Sequence, residues 1–294
     1  MGVRDLKQIK GDDASKLLKP IKRSRARLVL GRLWYTYSRC FDWYFGDKKY
    51  CRKRSTELLD YSVFTHRTPL LRKLKDVDMW MQHNKIINLR IAAERLDGII
   101  INPGETFSYW KLIGRPTANK GYVDGMVLFN GGFKPGIGGG LCQLSNLIYW
   151  MTLHTPLTVT ERHRHSYDVF PDSDRKLPFG SGATCVYNYR DLQIFNGTDC
   201  PFQLKVFLDE THLNGEWRAA EKLGVTYEVY EKKHSITHEY WGGYIRHNEI
   251  RRRVYNMERE LIEDEYVTEN HALMMYQPFI EYKPDEKIKN KESS

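Results

Sequence analysis

No acidic residue occurs between Ala14 and Phe41. The same stretch holds Lys16, Lys19, Lys22, Arg23, Arg25, Arg27, Arg32 and Arg39, and the whole chain has a formal net charge of +9. The basic excess is therefore a local feature. Long apolar runs are lacking too. The longest uncharged run of this stretch, Leu33 to Ser38, is far short of the roughly 20 apolar residues that a spanning helix requires. No apolar signal-peptide core follows Met1. There is no CxxC pair, and the five cysteines (40, 51, 142, 185 and 200) are odd in number and irregularly spaced. That argues against a disulfide framework and against a structural zinc ribbon. No recognised nucleic-acid-binding motif accompanies the charge, so a nucleic-acid partner is not expected. Internal repeats are absent. These absences predict a cytoplasmic protein, at most peripheral at the inner face of a membrane.

What is present is 41% hydrophobic and 28% charged residues, with 13% aromatics that include 19 tyrosines. The first two figures are ordinary for a globular protein, and the third favours strands and aromatic-walled grooves. In the basic stretch, Leu28, Leu30, Leu33, Trp34, Phe41 and Trp43 are interleaved with arginines. Residues 14–45 read either as a basic helix packing its apolar side on the main body or as an anchor for an anionic membrane surface. "DMWMQHNKIINLRIAAERLDG" follows, with Met79, Ile86, Leu89, Ala93 and Leu96 near helical spacing and Gly98 placed to end the helix. "YVDGMVLFNGGF" predicts a hairpin turning at Asn130-Gly131-Gly132. Alternation in 184–209 predicts two or three strands. The expected class is α+β: a β-rich domain with a helix after a glycine-rich loop, plus a basic helical N-terminal arm. The divisions expected are an arm over 1–80, a main domain over 81–210, a strand-rich extension over 211–280 and a disordered tail over 281–294.

"GGGLCQLSN", residues 138–146, raises the question of function. At 100° per residue, Leu141, Leu144, Leu147, Ile148 and Met151 fall on one side of a helix as a core stripe. Cys142, Ser145, Asn146 and Tyr149 fall on the other. A thiol in the first turn meets unpaired N–H groups and the positive end of the dipole, which lower its pKa. Gly138, Gly139 and Gly140 would let a substrate carbonyl approach exposed backbone amides. A buried, inert cysteine remains the competing reading.

A nucleophilic cysteine needs a base, and "ERHRHSYD" offers His163 and His165, which share a face if the segment is extended. Arg162 and Arg164 would then face the other way. The pair could instead be metal ligands with Cys142 or Cys185, or one histidine could serve a structural turn. Nothing else has ligand spacing, so neither a metal nor a cofactor is expected. Glu161 or Asp168 could orient an imidazole.

The blocks "NPGETFSYW", "IGRPTANKGYVDGMVLFNGGFKPGIGGGLCQLSNLIYW", "ERHRHSYDV" and "GATCVYNYRDLQIFN" resemble the VanW family, named for an accessory protein of vancomycin B-type resistance clusters. The resemblance covers about residues 84–210. Two positions depart from the family pattern: Gly182 replaces an aspartate before Ala183-Thr184, and Asn146 replaces a small hydroxyl residue. The resemblance implies a role at the cell envelope or in glycopeptide resistance. It also implies a cysteine acyltransferase of L,D-transpeptidase type acting on a peptidoglycan stem peptide or precursor. Cys142 would be the acyl acceptor, with His165, or else His163, as the base. Gly138, Gly139, Gly140, Gln143, Ser145 and Arg162 would line the substrate. The alternative is a non-catalytic accessory module that binds a peptide carboxylate at the same loop.

Overall fold

The protein is described by a computed structural model covering residues 24–72, 78–129, 131–164, 167–170 and 177–278. Helix α1 spans Arg25–Phe45, with Ser24 accepting from the Arg27 amide as its N-cap. The segment after it, expected to belong to the arm, does not stay apart. It is bridged to the core at Tyr50–Thr106 and Arg54–Ile99, then forms strand β1, Tyr61–Pro69. Helix α2, Met79–Leu96, starts after Asp78, and the chain turns at Gly98 with φ +78°. Strands β2 (Ile99–Ile101) and β3 (Thr106–Ser108) and the short helix α3 (Tyr109–Ile113) follow. The predicted hairpin is β4 (Asp124–Phe129) and β5 (Gly132–Ile137).

The glycine run leads into helix α4, Cys142–Thr152. Then come β6 (Thr158–Glu161), β7 (Tyr167–Asp168), β8 (Gln193–Phe195), β9 (Phe202–Leu208) and β10 (His212–Ala219). Three long strands follow: β11 (Thr226–His238), β12 (Tyr244–Tyr255) and β13 (Leu261–Met274). The α+β class is as expected. The tail, 281–294, lies outside the described residues, as do residues 14–23 of the basic stretch.

The core sheet has the order β1-β10-β9-β2. Apolar residues alternate along β10, burying Leu213, Trp217 and Ala219. Helix α4 crosses this sheet at Gly215, where a Cβ would come within 2.6 Å of Met151 Cε and 2.9 Å of Leu147 Cδ2. Glycine there is what lets helix and strand approach so closely. Trp217 Nε1 donates to Thr152 Oγ1 at 3.2 Å, tying the end of the helix to the sheet. A small sheet, β3-β8-β6, carries the segment around Glu161 alongside α4, and β11-β12-β13-β7 forms a separate meander.

Candidate functional site

The glycine run has a structural cause. A Cβ on Gly139 would lie 2.1 Å from the carbonyl carbon of Gly125, and one on Gly140 would lie 2.2 Å from Lys85 Cγ. Gly138 and Gly140 also have φ of +75° and +90°, where any side chain is strained. The loop folds back against β4 so closely that backbone meets backbone. Its amides are engaged in that fold: Gly138 N donates to Val123 O, Gly139 N to Gly136 O and Gly140 N to Met126 O, all at 2.9–3.0 Å. Asn88 Nδ2 adds a bond to Gly139 O at 2.9 Å. The expectation that the amides of Gly139 and Gly140 stand open for an oxyanion is therefore corrected. The amides of Leu141 and Cys142 donate to no backbone carbonyl among the described residues.

The expected polar face of α4 is also a packed face. Ser145 Oγ donates to Ala183 O at 2.7 Å, and Asn146 Oδ1 accepts from Ala183 N at 2.8 Å. Tyr149 is buried beneath the guanidinium of Arg162, 4.9 Å from ring centre to Cζ. Segment 182–185 thus lies along the helix and flanks Cys142, which stays half-buried. The Cys142 sulfur meets the carbonyl oxygen of Cys185 at 3.8 Å. Burial raises the thiol pKa above its ordinary value, with hydrogen bonding from backbone at Cys185 and from its own amide opposing that shift. The lowering expected from the helix dipole is corrected, because desolvation of the thiolate outweighs it here. Gln143 points elsewhere, donating to Thr68 Oγ1 (2.9 Å) and Pro69 O (3.0 Å) at the end of β1.

Arg162, expected to contact substrate, is a clamp within the protein. Nε donates to Gly182 O at 2.9 Å and Nη1 to Thr268 Oγ1 at 3.1 Å, while Nη2 reaches Gly180 O and Asn270 Oδ1. Arg164 also turns toward β13, donating to His271 O. His163 takes the other side, as alternation predicts. Its Nε2 lies 3.1 Å from Glu161 Oε1, and its carbonyl accepts from Thr184 N at 2.8 Å. Of the two carboxylates that could orient an imidazole, Glu161 is the one against His163. Asp168 bonds Tyr276 Oη and pairs with Arg246. His165 lies outside the described residues.

Sequence reasoning missed the network behind His163. Glu161 receives a bidentate pair of bonds from Arg39 of α1, both at 2.7 Å, and a third from the Asp191 amide at 3.0 Å. Burial alone would raise the Glu161 carboxyl, but these bonds and the Arg39 charge outweigh it and hold it below the ordinary value. Asp191 is fully buried and accepts from Ser108 Oγ, Trp110 N and Leu192 N. Burial, aided by the Glu161 charge and opposed by those bonds, raises its pKa to about 6. The available signal was the acid in "YRDLQ", flanked by residues that read as strand. Among the described residues no group of three or more His, Cys, Asp or Glu side chains is arranged to hold a metal ion. A cavity of about 530 Å³ lined by Arg54, Glu57, Asp97 and Lys205 includes none of the predicted site residues.

The family described as VanW like protein matches residues 84–218. That stretch runs from α2 through β10. The chain is 36% identical over 180 residues to the Vancomycin B-type resistance protein VanW of Enterococcus faecalis (strain ATCC 700802 / V583), covering 61% of this chain and 66% of that protein. It is 28% identical over 118 residues to the uncharacterized protein YoaR of Bacillus subtilis (strain 168), covering 40% of this chain and 37% of that protein. The chain thus spans just under two thirds of the first relative and about a third of the second. No solved structure matches it.

Proposed function

With residues 84–218 placing this chain among the VanW-like proteins, we propose that it is an accessory protein of glycopeptide resistance at the cell envelope. In this reading it binds a peptidoglycan stem peptide or precursor without forming a covalent intermediate. The observation that carries the reading is the setting of Cys142. Its sulfur lies against segment 182–185 and is bonded to the Cys185 carbonyl, and burial raises its pKa above the ordinary thiol value although the residue stays partly exposed. A thiol in that state is a poor nucleophile. The anionic end of a stem peptide, D-Ala or D-lactate, would meet the amides of Leu141 and Cys142 at the positive end of α4. The glycine amides take no part, since the hairpin already uses them.

A second reading, thiol acyl transfer of the L,D-transpeptidase type, is favoured by one observation. His163 is paired with a carboxylate that stays ionised, the arrangement that holds an imidazole as a base. In that scheme Cys142 Sγ would attack an amide carbonyl and expel an amine, and a second amine or water would resolve the thioester.

The two readings separate on intact mass and binding isotherms. Wild type and Cys142→Ser would be incubated with tetrapeptide and pentapeptide stems ending in D-Ala or D-lactate. The binding reading expects saturable binding by both proteins, no adduct, and little labelling of Cys142 by iodoacetamide at neutral pH. A mass increase on wild type with acyl exchange to an added amine would establish the enzyme instead.

A further inference from the structure

Helix α1 has two faces of different character. One docks on the body: Trp43 is buried, Arg39 grips Glu161, and Thr36 O accepts from Asn188 Nδ2 at 3.1 Å. Arranged at 100° per residue, the outer side carries Leu30, Leu33, Trp34, Tyr37, Phe41 and Phe45 at i, i+3, i+4, i+7, i+11 and i+15. All six are exposed, Trp34 at 72% and Phe45 at 75%. A 21-residue helix is about 31 Å long, so this is a continuous apolar stripe of a size that marks an interaction surface. Arg25, Arg27 and Arg32 are exposed on the same helix, Lys16, Lys19, Lys22 and Arg23 precede it in sequence, and its lone acid is Asp42.

We propose that α1 is an in-plane anchor that lays its Trp34–Phe41–Phe45 stripe into the interfacial layer of an anionic lipid surface. Two features favour lipid over a second copy of the helix, and a third sets how the helix would lie. The stripe is mainly aromatic, with a tyrosine hydroxyl at Tyr37, and such rings suit the boundary between headgroups and acyl chains. A helix pair would bring two strongly basic segments together, whereas anionic headgroups attract both. No helix among the described residues is long and apolar enough to cross a membrane, so α1 lies on the surface and does not span it. Because Arg39 joins α1 to Glu161, an anchored helix holds the Glu161–His163 network about one helix diameter, roughly 10 Å, from the lipid. The anchoring stands independently of what happens at Cys142.

The test uses the full chain with vesicles of phosphatidylcholine, with and without phosphatidylglycerol, in a sedimentation assay at low and high salt. The expected result is binding to the anionic vesicles alone, weakened about tenfold or more by salt. The variant Trp34→Ser/Phe41→Ser/Phe45→Ser should lose about tenfold or more of that binding, since the stripe supplies the apolar burial. Tyr240→Ser, at an exposed aromatic of the C-terminal meander, should bind like wild type. Equal binding by the triple variant and wild type would overturn the proposal. So would a lipid-free dimer of the full chain that the triple variant abolishes, which would assign the stripe to a second copy.

Discussion

Helices α4 and α1 repeat large apolar side chains at the same spacing and meet opposite surroundings. In α4 the residues are Leu144, Leu147, Ile148 and Met151, each 1% exposed or less. In α1 they are Leu30, Leu33, Trp34 and Tyr37, all left in solvent. The difference lies in what each helix meets. Strands β1 and β10 cover α4, and Gly215 makes room for it. Among the described residues, the outer stripe of α1 stays exposed. Amphipathic spacing therefore identifies a helix that needs a partner without saying whether the partner is in the chain.

The largest effect that would break this contrast is in α4. Leu147→Ala is expected to cost about 2–5 kcal/mol, the range for emptying a buried leucine site. Leu30→Ala in α1 should fall within about 0.5 kcal/mol of wild type. Urea unfolding with an unchanged m-value measures both, and a comparable loss for Leu30→Ala would mean that α1 is covered in solution.

An intermediate effect concerns the other face of α4. A Cβ on Gly182 would lie 2.6 Å from Asn146 Oδ1, so the two departures from the family pattern occupy one space. Gly182→Asp alone is expected to destabilise by about 1–3 kcal/mol through overpacking. Combining it with Asn146→Ser should recover at least about 0.5 kcal/mol relative to the sum of the single changes. Additive losses in that double-mutant cycle would show that the positions are independent.

The smallest effect compares glycines. Gly31 lies inside α1, with nothing within 4 Å of an added Cβ. Gly31→Ala should stabilise by about 0.5–1 kcal/mol, by removing the entropic disadvantage of glycine in a helix. Gly139→Ala should have the opposite sign, because its Cβ would overlap the Gly125 backbone. Thermal midpoints of the two variants give the comparison directly.

Much of the fold was legible because its signals are local. Gly98 ends α2, the turn before Gly132 closes β4 on β5, and the leucines of α4 mark its core stripe, as periodicity and turn chemistry predict. The strand at 61–69 was not anticipated, because its partner β10 lies about 150 residues away in sequence. The candidate site was legible only in its constituents. The pairing of Glu161 with His163 follows from alternation in an extended segment. Arg39 and Asp191 come to the same carboxylate from distant segments, and no local pattern announces them.

The sequence by itself determined the class, the helix after the glycine run, the face on which its leucines lie, and the family-like blocks, since each depends on spacing within a few turns or strands. Only the tertiary structure decided what the other face of α4 would meet. Segment 182–185 packs against Cys142, and the hairpin takes up the amides of Gly138, Gly139 and Gly140. The physical reason is that thiol ionisation and amide availability depend on the desolvation and hydrogen-bond partners that distant segments bring.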